Sequence, residues 1–202
     1  TFQDGRWGPR ALTQFVSTKA CITHPALYAV FTVDEPWHHQ KRPIYNSDEL
    51  KRMYTELKQV APAGAEFKIL VQFSRELWKQ LGRGKRHPQL YWDRGICDIV
   101  QISALEFQDG RYLQEFLDQN HASSRRIIHE KTPAIPLWTS VQVIGSGYGP
   151  KKGYWFPRER DGHHDLRTLL EAVTDSRYES IHPLAGIMFQ ACAVSPGNYE
   201  SP

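Results

Sequence analysis

No apolar run in the chain approaches the roughly 18 residues that a membrane-spanning helix needs, so no membrane segment is expected. Cysteine is scarce, and Cys21, Cys97 and Cys192 are far apart and odd in number. That pattern argues against a disulfide framework and against a zinc cluster. Buried thiols that pack as small hydrophobes are expected instead. Charge of one sign is also lacking. Lys and Arg number 25 against 22 Asp and Glu, a net +3, which is too weak a balance to point to nucleic acid. A signal-peptide pattern is absent and the first residue is Thr1 rather than Met, so a processed, trimmed or partial chain is expected. Adjacent histidines occur at His38–His39 and in "DGHHD" at 161–165. Neither run has the H-E-x-x-H arrangement, and neighbours in an extended segment point opposite ways. No metal and no cofactor are expected.

What is present is ordinary in bulk and unusual in aromatics. The chain has 202 residues, 40% apolar and 23% charged, the balance of a globular protein with room for a sizeable core. Six Trp, nine Tyr and nine Phe are many for that length, and several sit beside polar clusters. Residues 9–21 read as a helix, with Pro9 early and Leu12, Phe15, Val16 and Ala20 on one face. Strand-like "LYAVFTV" follows. Ser47 is the expected N-cap of "DELKRMYTELKQV", where Leu50, Met53, Tyr54 and Leu57 recur at helical spacing. Then come "FKILVQF", a helix over "SRELWKQL", "CDIVQISAL", a helical region near 110–130, "AIPLWTSVQVI", a helix near 165–175, and "LAGIMFQACAV". Five nearly continuous apolar strands separated by helices predict a single α/β domain over 1–202 with parallel strands.

Glutamine recurs inside four of these strands, at Gln72, Gln101, Gln142 and Gln190. A buried amide without a partner costs about 1–3 kcal/mol. A barrel interior, where side chains of neighbouring strands converge, would let such amides bond one another.

The segments "HPALYAVFTVDEPW", "VAPAGAEFKILVQFS", "CDIVQIS", "PLWTSVQVIG" and "HPLAGIMFQA" together resemble the later strands of a (β/α)8 (TIM) barrel of the glycoside hydrolase type. In such proteins a strand ends in D-E-P or N-E-P, and a later one reads "pvw..vQ". The resemblance runs from about residue 11 to 193 and implies strands four to eight. Each βα unit needs about 30 residues, so the first 27 residues are too few for three more. The expectation is the C-terminal part of a larger barrel, with the missing N-terminal part as a partner. The competing fold is a five-stranded doubly wound sheet.

Catalytic groups of a parallel barrel sit at the C-terminal strand ends, where "DEP" falls. Glycosidic hydrolysis needs one carboxylic acid to protonate the leaving oxygen and a second carboxylate as nucleophile or base. The resemblance implies Glu35 as proton donor beside Asp34; Glu106, at the end of "CDIVQISALE" across the mouth from Glu35, is the candidate partner, with Asp109 as fallback. It also implies a carboxylate at the end of strand seven, and "VQVIGSG" has Gln142 instead. A non-catalytic carbohydrate-binding barrel is therefore the alternative. Candidate sugar contacts are Trp37, His38, Gln72, Gln142, Trp138, Tyr148 and Trp155, the last two in the aromatic, Gly-rich loop 145–162. Lys151 and Lys152 in that loop admit a phosphate ligand, although the spacing matches neither a P-loop nor a dinucleotide fingerprint. The basic loop "GRGKRHPQ" reads as a solvated turn. An oligo- or polysaccharide substrate is expected, with no nucleic acid.

Overall fold

The computed structural model describes residues 2–3, 6–7, 22–37, 44–73, 89–104, 117–142 and 166–190. A short ladder opens it, β1 (Phe2–Gln3) antiparallel to β2 (Arg6–Trp7). Then follow β3 (Ala29–Asp34), α1 (Ser47–Val60), β4 (Lys68–Phe73) and β5 (Ile99–Ala104). A π-helical turn, Leu117–His121, leads into α2 (Ala122–Lys131), which is followed by β6 (Leu137–Gln142). The last described elements are α3 (Leu166–Val173), α4 (Ser176–Glu179) and β7 (Leu184–Gln190). All five expected strands are present. The expected helices over 9–21 and "SRELWKQL" lie outside the described residues.

Strands β3 to β7 form one all-parallel sheet whose order follows the sequence, β3-β4-β5-β6-β7. The fold is therefore α/β. Among the described strands the order never reverses, so they show no switch point of the kind that defines a doubly wound sheet, and that alternative is corrected for the described sheet. The sheet is open, with β3 and β7 as its edges.

Sequential order with right-handed crossovers puts the covering helices on one face, and the core shows this arrangement. Val71, Phe73, Val100, Ile102 and Leu137 share a cluster with Leu50 and Met53 of α1 and Ile128 of α2. Smaller clusters flank it, Leu57 with Phe67 and Ile69 at one side, and Leu117 with Val141, Val173 and Tyr178 at the other. Each such side chain contributes about 1.5–3 kcal/mol by leaving water. Leu70, Gln72, Ile99 and Gln101 alternate to the opposite face and are buried as well.

That opposite face curls. Register lines run from Trp138 through Gln101 and Gln72 to Asp34. Yet the ring of Trp138 stacks on Tyr28, just before β3, with centroids 5.9 Å apart and planes 5° from parallel. Strands about 4.8 Å apart would hold β3 and β6 about 14 Å from each other in a flat sheet. Side chains from those strands meet because this face, opposite the described helices, is concave.

Local chemistry fixes the helix ends. Asn46, one residue before the expected cap, accepts the Glu49 N–H at 2.9 Å, and Glu49 accepts the Asn46 N–H at 2.7 Å. Ser47 is engaged elsewhere, donating to the Tyr91 carbonyl at 2.6 Å and accepting the Tyr91 N–H at 2.8 Å. At the N-terminal side of the sheet, Asp98 ties α1 to β4. Burial pushes its carboxyl up, but Lys58, the Ile69 N–H and the Tyr54 hydroxyl outweigh that and hold it below the usual range. Tyr54 is pushed up to about 12 by burial and by its bond to Asp98.

Candidate functional site at the strand ends and the concave face

The carboxylate pair falls at the end of β3. Asp34 closes the strand opposite Gln72, and its side chain lies outside the described set. Glu35 follows with φ +46°, the only non-glycine at positive φ among the described residues. A left-handed backbone costs a residue with a Cβ about 1–2 kcal/mol, and such strain persists only where the surroundings over-determine it. Here the Glu35 N–H donates to the Gln72 carbonyl at 2.9 Å. A bulge between Phe31 and Val33 shifts the strand just before it. Two residues on, Trp37 is clamped in the core.

That clamp corrects one expectation. Trp37 is 1% exposed and packs on Phe73 with centroids 4.9 Å apart. Phe73 in turn meets Trp92 edge-on at 5.4 Å. Trp37 therefore anchors the turn after Glu35 and offers no face to a sugar.

On the concave face two of the four glutamines bond each other. Gln101 Nε2 donates to Gln72 Oε1 at 2.6 Å, and the same nitrogen lies 3.7 Å from Met188 Sδ. Gln142 and Gln190 are register partners at the ends of β6 and β7, with side chains outside the described set.

Trp138, a candidate sugar contact, is packed against two neighbours. One face of its ring stacks on Tyr28. Against it also lies Gly186, where an added Cβ would fall 2.6 Å from the indole Cε2. Its ring is thus engaged by Tyr28 and Gly186. Gly186→Ala is expected to force the indole out of place and cost about 1–3 kcal/mol. Near-UV circular dichroism with a urea melt checks this, and an unchanged spectrum and midpoint would refute the packing.

His38, Glu106, Asp109, Tyr148, Lys151, Lys152 and Trp155 lie outside the described residues. Among the described residues no group of three or more His, Cys, Asp or Glu is placed to hold a metal, and no helix is long and apolar enough to cross a membrane. A cavity of about 740 Å³ opens near Tyr28, Lys58 and Lys68. It lies at the N-terminal ends of β3 and β4, away from Glu35.

A buried polar network on the helix side was not foreseen from the sequence. Arg125 of α2 is fully buried. It donates to Glu179 Oε1 at 2.8 Å, the His182 carbonyl at 3.1 Å, the Val173 carbonyl at 2.7 Å and His121 Nδ1 at 3.2 Å. With Nδ1 accepting, His121 carries its proton on Nε2 and donates to Thr139 Oγ1 at 3.0 Å. Thr139 passes the chain on to the Ile102 carbonyl at 3.2 Å. Burial, reinforced by the Arg125 cation, pushes His121 down to about 3, so the imidazole is neutral. Arg125 joins α2 to the ends of α3 and α4, and Thr139 carries the network to β6 and β5.

Comparison with known proteins gives no match: no protein-family model, curated protein or solved structure matches the chain. Fold and site together define an α/β protein with a curled, open, all-parallel sheet and a strained glutamate at one strand end.

Proposed function

We propose that the chain is a glycoside hydrolase-like protein built on part of a (β/α)8 barrel, with Glu35 as the acid/base. The observation that carries this reading is Glu35 itself. A carboxylate residue is held in a left-handed conformation at the C-terminal end of a parallel strand, between the Gln72 carbonyl and the buried Trp37. In a parallel barrel that is where reacting groups gather. Glu35 would give its proton to the leaving glycosidic oxygen, while a second carboxylate stabilises or attacks the anomeric carbon. Glu106 is the proposed partner, with Asp34 beside the pair.

Sequential strand order, helices on one face and a concave opposite face support the partial barrel. The sheet edges do too. Tyr28 (54% exposed) and Phe31 (49%) belong to β3 and its approach, and Phe189 (55%) belongs to β7. Unpaired edges carrying exposed aromatics are an aggregation liability unless further strands cover them. The N-terminal part of the barrel is the proposed cover.

The non-catalytic, carbohydrate-binding reading has one specific support, since β6 ends in Gln142 where the commonest clan has a carboxylate. A panel of aryl glycosides separates the two. Glu35→Gln is expected to lower kcat/KM by about 10²–10⁴ while sugar binding persists. Turnover by the variant at the wild-type rate would remove Glu35 from the chemistry. Sugar binding by wild type without turnover of any glycoside would leave the binding reading.

A further inference from the structure

Three buried polar atoms of the concave face have no hydrogen-bond partner among the described residues: Gln101 Oε1, Trp138 Nε1 and Ser140 Oγ. Native structures leave few such atoms, and each calls for an explanation. These three are neighbours. Gln101 and Trp138 are register partners on β5 and β6, and Ser140 follows Trp138 on the same face of β6. The other orphaned atoms, Trp37 Nε1, Ser124 Oγ and His182 Nδ1, belong to separate segments.

The geometry points to a binding site for an uncharged, polyhydroxylated ligand on the concave face of β5 and β6. Gln101 Oε1 only accepts, Trp138 Nε1 only donates, and the Ser140 hydroxyl does either. Gln72, Ser103, Gly186 and Met188, the register partners of these three residues, carry no charge, and Asp34 lies one strand further on, opposite Gln72. A hydroxyl is the one common ligand group that satisfies both an acceptor and a donor. A carboxylate or phosphate brings only acceptors and would face Gln101 Oε1 with no cation beside it among the described register partners. An ammonium brings only donors and would meet the Trp138 N–H. Apolar ligand edges have Met188 to rest on, and the Gln72–Gln101 bond holds the accepting oxygen in place. Gly186 fixes the donor by leaving room for the indole.

This narrows the sugar reading above to neutral sugars, and it does not require Glu35 to perform chemistry. The test uses the full chain labelled with 15N at tryptophan, its Trp138 indole signal assigned with Trp138→Phe. Neutral saccharides (glucose, galactose, mannose, xylose and their short oligomers) are titrated beside glucuronate, glucosamine and glucose 6-phosphate. At least one neutral saccharide is expected to shift the Trp138 indole signal saturably, with its charged counterparts binding about tenfold weaker or worse. Ser140→Ala, which removes only an oxygen, is expected to weaken the neutral ligand about three- to tenfold, and Gln101→Leu at least as much. An indole signal unmoved by every neutral saccharide, at concentrations that would fill a millimolar site, would show water filling these positions and overturn the proposal. Equal binding of charged and neutral sugars would overturn it too. Neutral binding without turnover sinks the hydrolase and keeps this site. Turnover without any Trp138 shift does the reverse.

Discussion

Arg125→Ala is expected to cost about 3–5 kcal/mol of folding stability, read as a fall in the urea midpoint with the slope unchanged. Four acceptors depend on the guanidinium, and two of them are main-chain carbonyls, of Val173 and His182. Removing the fork leaves these without that donor and opens a hole between α2, α3 and α4. An unsatisfied buried acceptor alone costs about 1–3 kcal/mol. One feature moderates the loss. The Glu179 side chain keeps 30% of its surface exposed, so water reaches it when its partner goes. Lysine is a poor replacement, because a single ammonium cannot span acceptors arranged for a planar fork. A loss below about 1 kcal/mol in either variant would mean that the network contributes little.

Acid is expected to weaken the fold well above the range where carboxylates titrate. His121 is held neutral, with its folded value at about 3, whereas an unfolded histidine protonates near 6.5. Between those values the unfolded chain binds the extra proton, so stability rises with pH. The contribution is fully present above about 6.5 and lost as pH falls, by about 1.4 kcal/mol per unit. Burial lowers His182 as well, which adds loss of the same sign. Asp98 and its like, held low by their donors, act only below about pH 4. A fall in urea midpoint between pH 6.5 and 4.5 therefore reports the histidines. His121→Gln should flatten that slope although it lowers stability at pH 7. A flat wild-type profile across the window would contradict a neutral, buried His121.

The strands were legible in the sequence because each is nearly continuous in apolar residues, from "FKILVQF" to "LAGIMFQ". The glutamines were legible too, since an amide amid such residues has to find a partner, as Gln72 and Gln101 do. Other features depend on tertiary placement. Trp37 follows "DEP" and reads as a loop aromatic, yet Phe73 and Trp92 take it into the core. Trp138 reads as a flat ring for a sugar, yet Gly186 and Tyr28 engage it. The cap moved one residue because Ser47 was drawn to Tyr91, far off in sequence. Arg125 left a faint trace. His121, Arg125, Ile128 and Thr132 recur at helical spacing, placing polar side chains on the buried stripe of α2, which polarity alone would assign to solvent.

Glu35→Gly compared with wild type, in aryl-glycoside turnover and urea stability together, tests the central claim most directly. Glycine accepts φ +46° without a Cβ penalty, a relief of about 1–2 kcal/mol offset by about 0.5–1 kcal/mol of added chain entropy on unfolding. The expected result is a folded protein with turnover down at least about 10²-fold. A variant that loses stability yet turns glycosides over as wild type does would make Glu35 part of the scaffold and end its claim to chemistry.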